Sequence, residues 1–256
     1  MDATATQPLR FEKVPFGAQM REKYFSFADG YHPLNHGSFG TFPRAVQEYQ
    51  RQLQSESEAR PDTFIRYTYL KLLQESRAAL APLLGADPGE VVLAPNATTG
   101  VNTVLRNIPF RQDDTIIYFN TIYGACQKTI QSLSETCPLS SHEIDITYPI
   151  EDGEIIRRFN TAVEHVKAQG KRPKLAMFDT VLTFPGARFP WEALVVACKD
   201  MGILSFIDGA HGIGHIDLTR LGDVGPDFMI SNCYKCVGTR HFPYHGILAL
   251  TAVADG

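Results

Sequence analysis

Two short apolar runs of the sequence lead directly to residues that can do chemistry. The run "ILSFID" ends at Asp208 and is followed by His211, and the run "FMISN" is followed by Lys235. A lysine that loses its proton through partial burial is a nucleophile toward carbonyl carbon, and an acid and an imidazole nearby can bind or move protons. Cys233 and Cys236 flank the lysine in a C-x-x-C pattern, which is typical of metal or redox sites. The segment around Lys235 therefore allows two interpretations, a nucleophilic lysine or a metal or redox site at the two cysteines.

The chain that must position these residues alternates between short apolar runs and helical patterns. The runs are "EVVLAP", "TIIYFN", "HEIDITYP", "KLAMFDTV", "ILSFID", "DFMISN" and "GILALTA", and helical spacing covers about 98–108, 123–135, 153–169 and 190–201. Strands separated by helices of about 10–15 residues indicate βαβ units. The pattern predicts an α/β fold with a mostly parallel, seven-stranded sheet between helices.

The part of the chain before the first run has a different character. Residues 1–30 are irregular and predict an N-terminal arm, whereas residues 31–90 predict a helical segment. Apolar residues recur at three- and four-residue steps from Pro43 to Leu84, with a break predicted at Pro61. Residues 91–256 then form the predicted α/β domain that carries the site.

Ligands of parallel sheets bind at the carboxyl ends of the strands, which selects a short set of residues. Each has an ordinary structural interpretation: a threonine pair caps a helix, an acid ends a strand in a turn, and a loop lysine is solvated. The selected residues are Thr98, Thr99, Tyr123, Asp208, His211, Asn232, Tyr234 and Lys235.

Taken together, the selected residue types match the needs of pyridoxal phosphate. This cofactor needs an amine for a Schiff base, an anion beside its pyridine nitrogen, and a flat side chain over its ring. It also needs a donor near the ring hydroxyl, and backbone N–H groups at a helix N-terminus for its phosphate. Residues 91–256 are therefore the predicted cofactor-binding domain.

Four segments resemble the class V aminotransferase family, which has the fold of aspartate aminotransferase. They are "SFIDGAHGIGHIDL", "GPDFMISNCYK", "LNHGSFGTFP" and "NATTGVNTVL", and the likeness extends from about residue 30 to residue 235. The branch that the chain is most similar to is the isopenicillin N epimerase-like one, which includes hercynylcysteine sulfoxide lyase-like C–S lyases. The resemblance implies a pyridoxal phosphate-dependent enzyme that acts at Cα or Cβ of an amino acid, as a C–S lyase, epimerase or transaminase-like enzyme.

The resemblance also implies a role for each matching position. Lys235, Asp208 and His211 are the implied catalytic residues: the lysine holds the cofactor and moves the α-proton, the acid pairs with the pyridine nitrogen, and the histidine binds the ring oxygen. The implied cofactor-binding set adds Thr98, Thr99, Tyr123, Asn232 and Tyr234 to these three. Asn35, His36 and Arg66 are the implied substrate-binding residues. The family forms homodimers with sites at the subunit interface, so a homodimer is expected.

The sequence departs from the family pattern at three places. Tyr234 and Cys236 stand where relatives commonly have histidine and tryptophan, and Thr180 stands where many have histidine after the acid of the fourth strand. The family continues with a small C-terminal domain, whereas this chain ends about one strand past Lys235. We therefore expect that the C-terminal small domain is missing and that turnover is impaired.

Two other hypotheses remain open from the sequence. Cys233, Cys236, His241 and His245 have the residue types of a tetrahedral zinc site. A non-catalytic relative that keeps the fold for dimerisation or regulation is the second alternative. A nicotinamide site is not indicated, because "GAHGIG" is not G-x-G-x-x-G.

Composition and charge limit the partners. The 256 residues carry a formal net charge of −4 with scattered basic residues, which argues against nucleic acid. No apolar run approaches the roughly 18 residues of a membrane helix, and the N-terminus lacks a signal-peptide pattern. Five cysteines fit reduced thiols. We expect a cytoplasmic enzyme with a small amino-acid substrate, no membrane contact and no resident metal.

Overall fold

The computed structural model describes residues 12–236 and 247–251, and the side chains of Tyr234, Cys236 and residues 247–251 lie outside that description. Helices fill the first part of the chain. They are α1 (Ala18–Tyr24), α2 (His36–Phe39), α3 (Arg44–Ala59), α4 (Pro61–Thr63), a π-helical turn (Phe64–Thr68) and α5 (Tyr69–Leu84). The predicted break at Pro61 is confirmed: Arg60 leaves helical geometry, and Pro61 begins the next helix at a position where proline is tolerated.

Within the described residues, seven strands form one sheet, as predicted. They are β1 (Val91–Ala94), β2 (Asp114–Phe119), β3 (Leu139–Ile144), β4 (Arg172–Asp179), β5 (Leu204–Gly209), β6 (Phe228–Asn232) and β7 (Ile247–Thr251). Their order across the sheet is β1-β7-β6-β5-β4-β2-β3. Strand β7 is antiparallel to both of its neighbours, and the other pairings are parallel, so the mostly parallel sheet is confirmed.

The remaining helices connect and cover the strands. They are a 3-10 turn (Pro88–Glu90), α6 (Ala97–Asn107), α7 (Gly124–Thr136), α8 (Asp152–Ala168), α9 (Trp191–Met201), α10 (Leu221–Val224) and α11 (Cys233–Cys236). The four helices that the spacing predicted lie within one residue of the expected bounds. Apolar residues repeat every three or four positions in each of them, so one face of each is buried against the sheet.

The core consists of two apolar layers, one on each face of the sheet. Ile117 lies in the layer under α5, α8 and α9, and its neighbour Ile116 lies in the layer under α6 and α7. Both side chains are fully buried, because successive residues of a strand point to opposite faces and helices cover both.

The third strand lies earlier in the chain than its sequence pattern predicted. The run "HEIDITYP" starts at His142, whereas β3 spans Leu139–Ile144. Among the described strands, this edge strand pairs only with β2, and the pairing ends where Phe119 lies beside Ile144. Beyond that point the Asn120 side chain bonds to Ile146 and replaces the ladder. The division into an arm, a helical segment and an α/β domain stays a prediction, with β1 beginning at Val91.

Candidate active site at the carboxyl edge of the sheet

One edge of the sheet collects the ends of five strands. β2, β4, β5 and β6 are parallel, and β1 has the same direction because β7 is antiparallel to both β1 and β6. The segments after these strands therefore emerge on one side of the sheet. They contain the predicted residues from Thr98 to Lys235, which is the arrangement expected of a ligand site in an open α/β sheet.

Lys235 and His211 are in direct contact at this edge. Lys235 belongs to α11, which follows β6 without a loop, and His211 lies in the turn after β5. The Lys235 Nζ lies 3.0 Å from the His211 Nε2. Burial lowers the pKa of His211, and the Lys235 charge lowers it further. A lysine can only donate, so a neutral imidazole accepts this hydrogen bond.

Asp208 is held from two sides at the end of β5. Its side chain is 3% exposed, its Oδ1 accepts a hydrogen bond from the Ala210 N–H (2.9 Å), and its Oδ2 accepts one from the Cys126 thiol (3.5 Å). Burial raises the pKa of Asp208, while the two donors and the nearby Lys235 and His211 act in the opposite direction. The carboxylate is therefore fixed in orientation, with a positive charge close by.

Asp179 is a second buried acid that the sequence reasoning left out of the site. It is 4% exposed and lies beside Asp208 in the pairing of β4 with β5. Burial and then the Asp208 charge raise the pKa of Asp179 well above its ordinary value, against a lowering influence of Lys235. The pair of acids therefore holds a proton to a higher pH than an ordinary aspartate does. The signal was present in the sequence, because Asp179 closes an apolar strand as Asp208 does.

The residue that caps the N-terminus of α6 is an asparagine, and neither of the two threonines that follow it has that role. The cap is Asn96, whose Oδ1 accepts the Thr99 N–H (2.7 Å) and the Thr99 hydroxyl (3.0 Å). Thr98 and Thr99 lie in the exposed first turn. A helix of 11 residues that begins at a strand end presents unpaired N–H groups to an anion.

The first turn of α7 supplies two further side chains. Tyr123 is the N-cap residue of α7 and is 48% exposed, so its side chain is accessible to a ligand. Cys126 comes three positions later and contacts Asp208. Residues three apart lie on the same face of a helix, and this spacing is the sequence signal that could have identified Cys126.

Three buried polar atoms near the strand ends lack a hydrogen-bond partner among the described residues. They are the Thr121 Oγ1 after β2, the Thr180 Oγ1 after β4 and the Asn232 Oδ1 at the end of β6. A buried polar atom without a partner is costly, so each of these three atoms is available to a bound ligand or an ordered water. Asn232 is thus available to a ligand, whereas the side chain of the other predicted residue here, Tyr234, lies outside the described part.

The predicted substrate residues divide into two groups. Helix α2 packs against α11, which brings Asn35, its N-cap residue, and the half-buried His36 close to the segment of Lys235. Arg66 lies exposed in the π-helical turn, which packs against α3, α4 and α5. Its role in binding the substrate stays a prediction.

The zinc hypothesis gains no support from the described residues. Cys233 is buried in the apolar core, and burial raises the pKa of its thiol to about 12. The side chain of Cys236 and both histidines, His241 and His245, lie outside the described part. Among the side chains that the structure describes, no group of three or more metal-binding residues is arranged around a common point.

Comparison with known proteins agrees with the fold and the motifs. The family model described as aminotransferase class-V matches residues 39–240. The chain is 37% identical over 224 residues to the L-cysteine desulfhydrase-like protein lolT1 of Epichloe uncinata, covering 88% of this chain and 49% of that protein. It is 34% identical over 225 residues to the hercynylcysteine sulfoxide lyase of Schizosaccharomyces pombe, covering 88% and 55%. The predicted branch is confirmed by the second relative.

A solved structure has the same fold. The complex between the cystine C-S lyase C-DES and its product cysteine persulfide superposes with a TM-score of 0.71 at 19% identity, covering 86% of this chain and 57% of that one. The chain spans about half the length of the curated relatives it matches. The match of the family model over most of the chain shows that it belongs to the class V aminotransferase family.

Proposed function

We propose that this chain binds pyridoxal 5'-phosphate and belongs to an enzyme that breaks a carbon–sulfur bond in a small amino acid. The observation that carries the proposal is the cluster of Asp208, His211 and Lys235 at the carboxyl edge of the sheet, with the Lys235 Nζ 3.0 Å from the His211 Nε2. A buried acid, a neutral imidazole and an amine held together in this way are the groups that the cofactor requires.

Polar groups without a hydrogen-bond partner and accessible side chains at the site show whether the residues present fit the cofactor. The buried Thr180 hydroxyl has no partner among the described residues and can donate to the ring oxygen, and the Tyr123 side chain is 48% exposed and accessible to the ring. The first turn of α6 offers N–H groups and the Thr98 hydroxyl to a phosphate dianion. These features meet the needs of the ring oxygen, the ring face and the phosphate, so the residues present fit the cofactor.

Each residue has a distinct task in this function. When bound, the cofactor supplies an electron sink that stabilises negative charge at the substrate's α-carbon. Asp208 would pair with the pyridine nitrogen, and Lys235 would hold the aldehyde and then take the proton from Cα on its Nζ. His211, kept neutral by burial and by Lys235, can accept that proton's hydrogen bond without adding charge beside the amine. Asn35 and His36 would contact the substrate from α2.

The choice of a sulfur-containing substrate rests on the relatives. One matching protein is named as L-cysteine desulfhydrase-like and another as a sulfoxide lyase, and both cover 88% of this chain. An epimerase or a transaminase-like enzyme would use the same residues up to removal of the α-proton. The products distinguish the three reactions: release of sulfide, ammonia and a keto acid is lyase chemistry, inversion at Cα is epimerisation, and transfer of the amino group to an acceptor keto acid is transamination.

The test begins with the purified chain and free pyridoxal phosphate. We expect a yellow protein, and borohydride reduction should fix the cofactor on the peptide that contains Lys235, as read by mass spectrometry. The variant Lys235→Ala should lose this label, whereas Lys199→Ala, which removes a lysine on α9, should keep it. Assays with L-cysteine, cysteine conjugates and cysteine sulfoxides then distinguish the reactions by product.

Other outcomes would reject the proposal. A folded wild-type chain that stays colourless at saturating cofactor and free of metal would favour the non-catalytic alternative. One zinc per chain without a chromophore would favour the site at Cys233 and Cys236. A yellow chain that racemises its substrate without releasing sulfide would retain the cofactor assignment and replace lyase by epimerase.

The proposal includes a homodimer in the cytoplasm. Leu34 is 98% exposed and Phe39 is 83% exposed, and both lie in or beside α2, which packs against the helix that carries Lys235. Large apolar side chains in such positions are suited to a subunit interface. The described cysteines, Cys126, Cys137, Cys198 and Cys233, are free thiols, which suits a reducing compartment. No helix within the described residues has the length and apolar character to cross a membrane.

A further inference from the structure

The buried thiol of Cys126 is directed at the one acid that the proposed cofactor would need. It lies in the first turn of α7, is 2% exposed, and its Sγ lies 3.5 Å from the Asp208 Oδ2. The other carboxylate oxygen, Oδ1, is already bonded to the Ala210 N–H. A carboxylate accepts up to about four hydrogen bonds, so these two donors fix its plane and leave acceptor positions for a ring N–H.

The chemistry of the thiol limits what it can do. Burial, followed by the Asp208 and Asp179 charges, raises the pKa of Cys126 far above its ordinary value. The group therefore stays an S–H donor and is neither a nucleophile nor a metal ligand, both of which require the thiolate. An S–H is a weaker donor than a hydroxyl, so it orients the carboxylate while leaving it a good acceptor.

We propose that Cys126 is a positioning residue that fixes the orientation of the Asp208 carboxylate and keeps it ionised for the pyridine nitrogen of the cofactor. This proposal rests on the proposed function for the identity of the cofactor, but the contact with Asp208 belongs to the protein alone. The same helix turn carries Tyr123, whose exposed ring is the proposed stacking face. The start of α7 would thus supply both the side chain that stacks on the cofactor ring and the thiol that orients the acid beside the pyridine nitrogen.

A merely structural cysteine is available for comparison in the same chain. Cys198 on α9 is fully buried, and burial raises the pKa of its thiol to about 12. It lies in the apolar layer under α8 and α9 and has no hydrogen bond to Asp208. Cys198→Ala therefore removes a buried thiol of the same size without touching the carboxylate.

The experiment compares wild type, Cys126→Ala, Cys126→Ser and Cys198→Ala in two measurements. The first is a ¹³C NMR titration of the aspartate carboxyl groups in protein freed of cofactor, with Asp208→Asn to assign the signal. The second is pyridoxal phosphate affinity as a function of pH, together with the absorbance of the bound cofactor. Thermal unfolding of each variant identifies any that fails to fold, and Cys126→Ser supplies a second folded variant that keeps a donor.

We expect the pKa of Asp208 to rise in Cys126→Ala, because one of the donors that lower it is lost. Affinity for the cofactor should fall by about three- to tenfold, and more at low pH, where the acid becomes protonated. Cys126→Ser should restore both values, and Cys198→Ala should leave them unchanged.

Equal titration and equal affinity in Cys126→Ala and Cys198→Ala would overturn the inference, because the thiol would then only fill space. A wild-type chain that binds no cofactor would instead reject the proposed function. The carboxyl titration would still decide whether Cys126 acts on Asp208, so the two failures are distinguishable.

Discussion

Asp179 and Asp208 occupy paired positions on the adjacent parallel strands β4 and β5, and both side chains are buried at the same edge of the sheet. Two ionised carboxylates this close would repel each other in a region with little water. Burial raises the pKa of both acids, the Asp208 charge raises that of Asp179 further, and the nearby Lys235 lowers both. Protonation of this pair should therefore respond to a charge placed beside it.

The pair should make the stability of the protein depend on pH. Both acids have raised pKa values in the folded state, so the folded protein binds their protons more tightly than the unfolded chain does. The free energy of unfolding is therefore highest below the ordinary aspartate pKa of about 4 and falls as pH rises through the raised pKa values. Asp179→Asn removes one of the two buried charges. In cofactor-free protein its Tm should equal that of wild type near about pH 4 and exceed it by roughly 2–4 °C at about pH 8.

The control for this prediction is an exposed acid. Asp223 lies in α10 with three quarters of its side chain accessible, so Asp223→Asn should follow the wild-type Tm at every pH. Scanning calorimetry across the pH range gives the comparison. A Tm for Asp179→Asn that stays below wild type by the same amount at every pH would contradict the argument from buried charge.

The contact between Lys235 and His211 predicts a shift that can be read from the histidine. The Lys235 charge is the second cause, after burial, of the lowered pKa of His211. Lys235→Met keeps the length of the side chain and removes the charge, so the pKa of His211 should rise toward its ordinary value while burial still holds it below. Histidine NMR in cofactor-free protein measures this, with Lys199→Met as the control. An unchanged titration in Lys235→Met would mean that the two side chains do not meet in solution.

Much of the scaffold could be predicted because it depends on local periodicity. The helix predicted over 153–169 is Asp152–Ala168, and the one predicted over 190–201 is Trp191–Met201. Each has apolar residues at helical spacing, and the strands between them are short apolar runs. The carboxyl-edge rule then places Asp208, His211 and Lys235 together without any knowledge of three-dimensional contacts.

The features that could not be predicted depend on pairing between distant segments. Cys126 meets Asp208 only because the fold brings the first turn of α7 to the end of β5, although 82 residues separate the two positions. Asp179 becomes the neighbour of Asp208 through strand register, which the composition of a run does not determine. Arg66 was selected for its residue type, and its position in a π-helical turn on the helical layer results from packing with α3, α4 and α5.

The ion pair between Asp114 and Arg172 lies far from the site and joins a buried carboxylate to a half-exposed guanidinium. Removing one partner should therefore cost more stability than removing the other. Asp114 is fully buried at the start of β2, whereas half of the Arg172 side chain, at the start of β4, is exposed. Arg172→Met leaves a buried carboxylate with only the Arg111 N–H and should cost about 3 kcal/mol. Asp114→Asn leaves an arginine that can turn to solvent and should cost about 1–2 kcal/mol. Urea unfolding measures both.

Two comparisons would test that assignment. Arg220→Met removes an exposed partner of Asp223 and should leave the urea midpoint where it is in wild type. The combined Arg172→Met and Asp114→Asn variant should be less costly than the sum of the single changes, since the partners are in contact. Equal costs for the two single variants would show that burial of the carboxylate does not decide the energy.

Two substitutions at the start of α6 should have different effects, one on stability and the other on binding of the cofactor's phosphate. The Asn96 side chain caps the helix through the Thr99 N–H, so Asn96→Ala should lower the free energy of unfolding by about 1 kcal/mol. Thr98 lies outside this cap in the exposed first turn, so Thr98→Ala should retain stability and weaken pyridoxal phosphate binding by about tenfold. Thr103→Ala, one turn later, removes a hydroxyl that bonds to the Thr99 carbonyl oxygen and serves as the matched control for affinity. Urea unfolding and titration with the cofactor and with inorganic phosphate measure the two effects, and equal affinity of the Thr98 and Thr103 variants would place the phosphate elsewhere.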